Sequence, residues 1–406
     1  MCLAAGAACP ALPAAAQHGA GGARAGVRER PASIFPLEPA WTADLGQPPA
    51  AAPGYDGSHA YVPLRDGTLA AIRLRDGEPA WINARRTGFP PAAAGGSVIV
   101  ASGANLVALR AADAEPLWTR EFAAPISAAP LRAAGWLVVS LATGEVAALR
   151  AADGGELWRR PLGGPLRVRP SVGGRRLFVP IDDGRLVALD LTTGTRLWER
   201  TLRGSPGEVL PLDAVFVGAT DNYLYRLSPE DGSLDWRWRA GGDVVGLPAV
   251  DERRLYFASL DNILWALDRT SGVQQWRRPL PGRPRSGPVI VGRALFVSGV
   301  SAHVRAFDRE HGRPVGSLAA ADELGAPPHF APSVAGSGPG VVLLIADGRL
   351  VGMRPATGPA PFPLEFPPPP LLPVPAPLVP ADVLPFEPPA TGAARVAAPI
   401  GWSADE

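Results

Sequence analysis

The sequence predicts an all-β protein: an eight-bladed β-propeller of four-stranded antiparallel blades, its ring closed by an N-terminal strand. Three observations carry that expectation. Tryptophans recur at Trp41, Trp81, Trp118, Trp158, Trp198, Trp236 and Trp276, spaced by 40, 37, 40, 40, 38 and 40 residues. Four residues before the aromatic position stand Gly77, Gly154, Gly194, Gly232 and Gly272, with Ala114 as the exception. The same spacing continues at Gly312 and Gly358, ahead of Gly316 and Phe362, where the Trp is lost. Farther upstream lie Asp66-Gly67, Asp183-Gly184, Asp221-Asn222, Asp261-Asn262 and Asp347-Gly348. Self-similarity at about 40 residues marks a repeat architecture, with one supersecondary unit per period.

Each unit reads as four strands. A short segment such as RPSVGG (169–174) or LPAVDE (247–252) supplies the inner strand. Branched and aromatic runs such as RLFVPI (176–181) and RLYFAS (254–259) supply the second, as strand composition requires. Asp-Gly or Asp-Asn then gives positive φ at low cost, the requirement of a two-residue hairpin. The return strand, LVALD at 186–190, ends at the turn opened by the glycine, and the Trp begins the outer strand. A four-stranded sheet cannot bury both faces alone, so the Trp is expected to fill the gap between neighbouring blades, about 200 Å² each. Its indole N–H needs an acceptor, expected from a backbone carbonyl of the next repeat. Ala71, Ala108, Ala148, Ala188, Ala266 and Ala306, ten residues before the aromatic position, leave room for the close approach.

At the ends of the ring the units are incomplete. PAWTADLG (39–46) is an outer strand with no three strands before it. APSVAG (331–336), VVLLIA (341–346) and RLVGMR (349–354) are three strands followed by the proline-studded APFPLEF, and proline cannot donate to a ladder. The strand around Trp41 is therefore expected to complete blade eight. Eight blades is the preferred count, with seven and nine as the alternatives.

The flanks divide into three segments around a propeller at 37–362. Residues 1–16 are small and apolar, with Ala14-Ala15-Ala16 resembling a cleavage site, but lack a basic start; they read as a truncated signal segment. Cys9 is a candidate lipid-attachment residue, although Gly6 stands where a larger apolar residue is usual. Residues 17–36 read as a linker, and 363–406 as a proline-rich, largely disordered tail. Fourteen prolines fall within 359–390, which favours polyproline II. Its bland role is a spacer; its sharper one is a docking strip.

Composition excludes several classes. The chain is 19% charged, with a formal net charge of +1 and no lysine, so it offers no electrostatic case for nucleic acid. The clusters Arg159-Arg160, Arg167/Arg169 and Arg175-Arg176 read as solvated strand ends. No run of eighteen apolar residues is present, so no transmembrane helix is expected. Both cysteines, Cys2 and Cys9, precede the repeats. The five histidines form no metal-binding grouping, and His303 and His311 fall at turns. Asp183, Asp221 and Asp261 share one repeat position, so they should line one rim, where they could attract a cation; Asp is also the residue this turn prefers. No catalytic, cofactor-binding or metal residue is expected, and no cofactor.

The pattern Ala-x-Asp-x-x-x-Gly-x-x-x-Trp after a strand hairpin, as in residues 188–198 and 266–276, resembles the pyrroloquinoline-quinone-type propeller repeat. No Trp here is followed by Asp, unlike the WD-repeat propellers. The resemblance covers roughly residues 37 to 362. It implies an eight-bladed ring and a secreted or periplasmic, outer-membrane-associated setting. The family contains quinoprotein dehydrogenases and, without cofactor, the outer-membrane assembly factor BamB, the nearer type. The dehydrogenases pair adjacent cysteines against the quinone; this chain has no Cys-Cys, and no catalytic residue carries over. The expectation is a non-enzymatic cell-envelope scaffold or protein-binding propeller, a monomer within a complex whose partners include outer-membrane assembly machinery. The alternatives are a quinone-binding oxidoreductase or its remnant, and a ligand-sensing propeller.

Overall fold

Eight four-stranded antiparallel sheets, each built from a first strand of two to seven residues, two buried strands and a more exposed fourth, follow one another in a computed structural model that describes residues 37–330 and 340–356. Seven sheets are contiguous in sequence, from Gly54–Asn83 in blade one to Val289–Ala319 in blade seven. The first strands of successive blades touch, as between Gly54–Tyr55 and Ala92–Ala94, and so form the inner ring. The residues read as signal segment (1–16), linker (17–36) and tail (363–406), with Cys2 and Cys9, lie outside the described residues. So does the segment APSVAG expected as an inner strand; the described first strand of blade eight is His329–Phe330.

Blade eight is completed from the other end of the chain. Its strands His329–Phe330, Val341–Leu344 and Arg349–Pro355 are joined by Leu37–Asp44, which pairs antiparallel with Arg349–Pro355 from Leu37↔Pro355 to Asp44↔Arg349. Arg354 Nε meets Glu38 Oε1 at 3.0 Å along the same ladder. On the inner ring, Tyr55 of blade one stacks on His329 of blade eight, ring centroids 3.8 Å apart and 4° from parallel.

The core lies between blades rather than within them. Among the described residues the buried apolar side chains form eight clusters, and each draws on two successive blades. Leu186, Ala188 and Trp198 of blade four, for example, pack with Val215, Val217 and Leu227 of blade five. This is the arrangement that a narrow sheet requires, because each face must be buried against a neighbour.

The repeated glycines and asparagines sit where sequence placed them. Asn222 and Asn262 have φ of 68° and 62°, and Gly184 has 96°. The loop expected to hold two residues holds three at Asp182-Asp183-Gly184, since Ile181 N bonds Arg185 O at 2.8 Å, and only its last residue is left-handed. Ala114, the exception in the glycine series, keeps the left-handed conformation at φ 62°. It therefore occupies a backbone geometry that suits glycine at a cost of about 1 kcal/mol.

Candidate functional site

The seams between blades are tied by a repeated set of polar contacts. Every repeat Trp donates its indole N–H to a carbonyl of the following blade. Trp41 reaches Leu74 O, Trp81 Ala111 O, Trp118 Ala151 O, Trp158 Leu191 O, Trp198 Pro229 O, Trp236 Thr270 O and Trp276 Arg309 O, at 2.8–3.2 Å. The glycine of the next blade lies under the ring. A Cβ on Gly77 would come within 2.5 Å of Trp41, and one on Gly194 within 2.7 Å of Trp158. That glycine is thus fixed twice, by positive φ and by contact. Ala148 stands directly across the ladder from Trp158, and Ala188 from Trp198, fully buried, so the small side chain gives the indole its space.

A second clamp was not read from sequence. Two residues after the Trp, Arg120 donates to Gly154 O at 3.1 Å, Arg200 to Gly232 O at 3.1 Å, and Arg278 to Gly312 O and His311 O at 2.9 and 2.6 Å. Arg160 does the same to Gly194 O and Thr193 O, at 3.0 and 2.7 Å. The reading of Arg160 as a solvated strand end is therefore corrected: its guanidinium ties the turn of blade four to blade three. Its neighbours in that group are bonded too, Arg159 to Glu156 at 3.0 Å, Arg167 to Asp182 at 3.3 Å and Arg175 to Asp190 at 3.4 Å. The visible signal was Trp-x-Arg, repeated in four blades.

The three rim aspartates occupy the same hairpin of three successive blades, but each is bonded locally. Asp183 accepts from Arg185 Nε at 2.9 Å, and that guanidinium holds its carboxyl below the usual range. Asp221 accepts from Tyr223 N at 3.1 Å and from the Tyr225 hydroxyl. Asp261 accepts from Gly241 N at 3.1 Å and from the Ser259 hydroxyl, which in turn receives Trp265 Nε1 at 2.9 Å. No group of three His, Cys, Asp or Glu suited to a metal occurs among the described residues.

The opposite turns use carboxylates in the same way. Asp56 accepts from Ser58 N and His59 N, both at 2.7 Å, and from Tyr61 Oη at 2.7 Å. Burial alone would raise its carboxyl, but these donors together with the Ser58 hydroxyl hold it below the usual range. Asp251 and Tyr256 repeat the pair in blade six at 2.7 Å. His303 is exposed at the start of His303–Asp308, and His311 is exposed in the next turn with its N–H on Asp308 at 2.8 Å. His329 is the histidine whose surroundings do matter: burial against Tyr55 pushes its pKa down.

Two clefts flank the seam between blades one and two. One, of about 400 Å³, lies among Asp56, Ser58, His59, Gly95, Gly96 and Arg110. The other, of about 320 Å³, opens at the hairpin end of the seam, among Arg85, Arg86, Ser102, Asn105, Val107 and Thr119. Neither was legible in the sequence.

Comparison with known proteins places this ring. Residues 38–125, 65–209 and 202–327 match the family described as outer membrane protein assembly factor BamB. A search of the curated proteins finds no match. Among solved structures, BamB from Moraxella catarrhalis is similar at 22% identity and a TM-score of 0.54, covering 62% of this chain and 82% of that one. Quinohemoprotein alcohol dehydrogenase from Comamonas testosteroni is similar at 12% identity and a TM-score of 0.63, over 80% of this chain and 78% of that one. Sqt1 of Saccharomyces cerevisiae is similar at 12% identity and a TM-score of 0.66, over 78% and 99%. At these identities the structural likenesses establish the propeller and nothing finer.

Proposed function

Because the chain belongs to the family of the outer membrane protein assembly factor BamB, we propose that it is a non-enzymatic, protein-binding scaffold of the cell envelope, acting in outer-membrane protein assembly. The observation that carries this reading is the local satisfaction of the rim carboxylates. Asp183, Asp221 and Asp261 are bonded within or beside their own hairpins and brace the rim. What the ring offers is two faces of turns on a stiff support, and loops on a rigid scaffold are where binding residues concentrate. The setting follows from the same reading: periplasmic or outer-membrane-associated, as one monomer within a complex.

A quinone-dependent oxidoreductase is the second reading, favoured by the likeness to a quinohemoprotein alcohol dehydrogenase. It lacks the support of a neighbouring cysteine pair, since Cys2 and Cys9 are the chain's two cysteines. Two experiments separate the readings. Crosslinking in intact envelopes, followed by affinity recovery, should yield outer-membrane proteins or their assembly components in stoichiometric amounts. Recovery of none from an envelope fraction that contains the protein would overturn the scaffold. Supplying pyrroloquinoline quinone, calcium, a panel of alcohols and an artificial acceptor should give no turnover above a protein-free blank; turnover would favour the enzyme.

A further inference from the structure

The repeat supplies its own controls for the cleft of about 320 Å³ between blades one and two. Four residues after the outer-strand aromatic position, seven blades carry an apolar residue: Leu45, Phe122, Leu162, Leu202, Ala240, Leu280 and Ala320. Each packs into the cluster of its seam. Each also donates its backbone N–H to the last residue of its hairpin loop, as Phe122 N does to Ala104 O at 2.9 Å and Leu202 N to Gly184 O at 2.8 Å. Blade one departs on both counts. The position is Arg85, and its N–H turns to Asn83 O at 2.8 Å. The apolar plug is missing, and the cleft stands where the plug would be.

The chemistry of the vacated place is specific. Arg85 Nε is buried without a hydrogen-bond partner. Neither Arg85 nor Arg86 makes an ion pair among the described residues. Arg86 lies over the hairpin, its Nε 3.4 Å from where a Gly67 Cβ would be. Ser102, Thr119 and Asn105 add two hydroxyls and an amide, while Val100 and Val107, 2% and 5% exposed, make an apolar floor. No carboxylate lines the cleft. Two unpaired planar forks above an apolar floor match a carboxylate on a short aliphatic stem, which guanidinium groups can bind through two parallel hydrogen bonds.

We infer that the cleft lined by Arg85, Arg86, Ser102, Asn105 and Thr119 binds a carboxylate borne on a short aliphatic stem, either free or as an acidic side chain of a bound protein segment. The site stands apart from the scaffold reading, since small molecules test it directly. The probes are glutarate, the tripeptide acetyl-Gly-Glu-Gly-amide and inorganic phosphate, titrated against the full chain by calorimetry at low salt. Saturable binding of glutarate or the peptide is expected; a tenfold preference for the peptide assigns the side-chain source, and parity or better for glutarate the free one. Arg85→Leu restores the plug of the other blades. It should weaken binding at least tenfold while raising the melting temperature by a few degrees. Arg86→Gln should weaken binding severalfold at an unchanged melting temperature. Binding of phosphate alone would overturn the carboxylate assignment. No saturable binding, or affinity untouched by both variants, would overturn the site.

Discussion

The seam between blades three and four and the seam between blades seven and eight join the same kind of sheet by different means. At the first, Trp158 is 7% exposed, bonds Leu191 O at 2.8 Å and lies on Gly194, with Arg160 gripping the same turn. At the second, blade seven carries Gly316 in place of the Trp and Leu318 in place of the Arg. Phe296 instead meets Phe330 near the inner ring, centroids 4.6 Å apart, with Leu318 and Met353 in the same cluster. The lesson is that the propeller needs each seam filled and does not need it filled by one device. Trp at the outer strand locks a turn as well as a gap; a phenylalanine pair fills the gap only.

That contrast can be broken outright at the closure. Removing residues 37–46 takes away the fourth strand of blade eight together with Trp41, its bond to Leu74 O and its cover over Gly77. An exposed edge strand and an opened seam should follow, seen as loss of the cooperative melt or as aggregation in a light-scattering ramp. An unchanged melting temperature in a monomeric protein would refute the closing role of this strand.

Single substitutions sharpen the contrast. Trp158→Ala should cost about 3–5 kcal/mol by chemical denaturation, from the cavity and the orphaned Leu191 carbonyl. Phe330→Ala, at a half-buried ring without a hydrogen bond, should cost about 2 kcal/mol. Equal losses would mean that the indole bond and the turn it locks add nothing beyond area.

The smallest effect is expected at Ala114, the one turn of the glycine series held at φ 62° by a residue with a Cβ. Ala114→Gly should stabilise the protein by up to about 1 kcal/mol, through relief of left-handed strain. A loss of stability there would show that the methyl group, 2% exposed, contributes more by packing than it costs in strain.

Much of the fold was legible because the repeat states it eight times. Trp, Gly and Asp-Gly have different physical duties, and their fixed spacing left few alternatives to a blade. Closure was legible from the orphan Trp41 strand. The first strands were harder: Gly54–Tyr55 and His329–Phe330 are two residues long, too short for any alternation to show. The arginine clamp was hidden for another reason, since a charged residue on an outer strand looks solvated whether or not a carbonyl of the next blade lies within reach. The cleft was hidden in a third way. Arg85 is visible as a departure from seven apolar residues only after the register is fixed, and the absence of a partner for its Nε is a fact of three dimensions.

The indole bonds also set an order of assembly. Each repeat Trp finds its acceptor 30 to 34 residues downstream, so each clamp can form as soon as the next blade exists. The Glu38–Arg354 contact spans 316 residues. By chain-closure entropy alone, a loop of that length costs about 2 kcal/mol more than one of 33 residues. The ladder between Leu37–Asp44 and Arg349–Pro355 is therefore the contact that forms last, although Trp41 can already rest on blade one. Throughout synthesis the growing row of blades is open at both ends, and it becomes a ring only when Arg349–Pro355 emerges to receive Leu37–Asp44. A chain stalled before that point would present two raw sheet faces at once. Proteolysis of nascent chains should show the seam between blades three and four protected well before the ladder of blade eight.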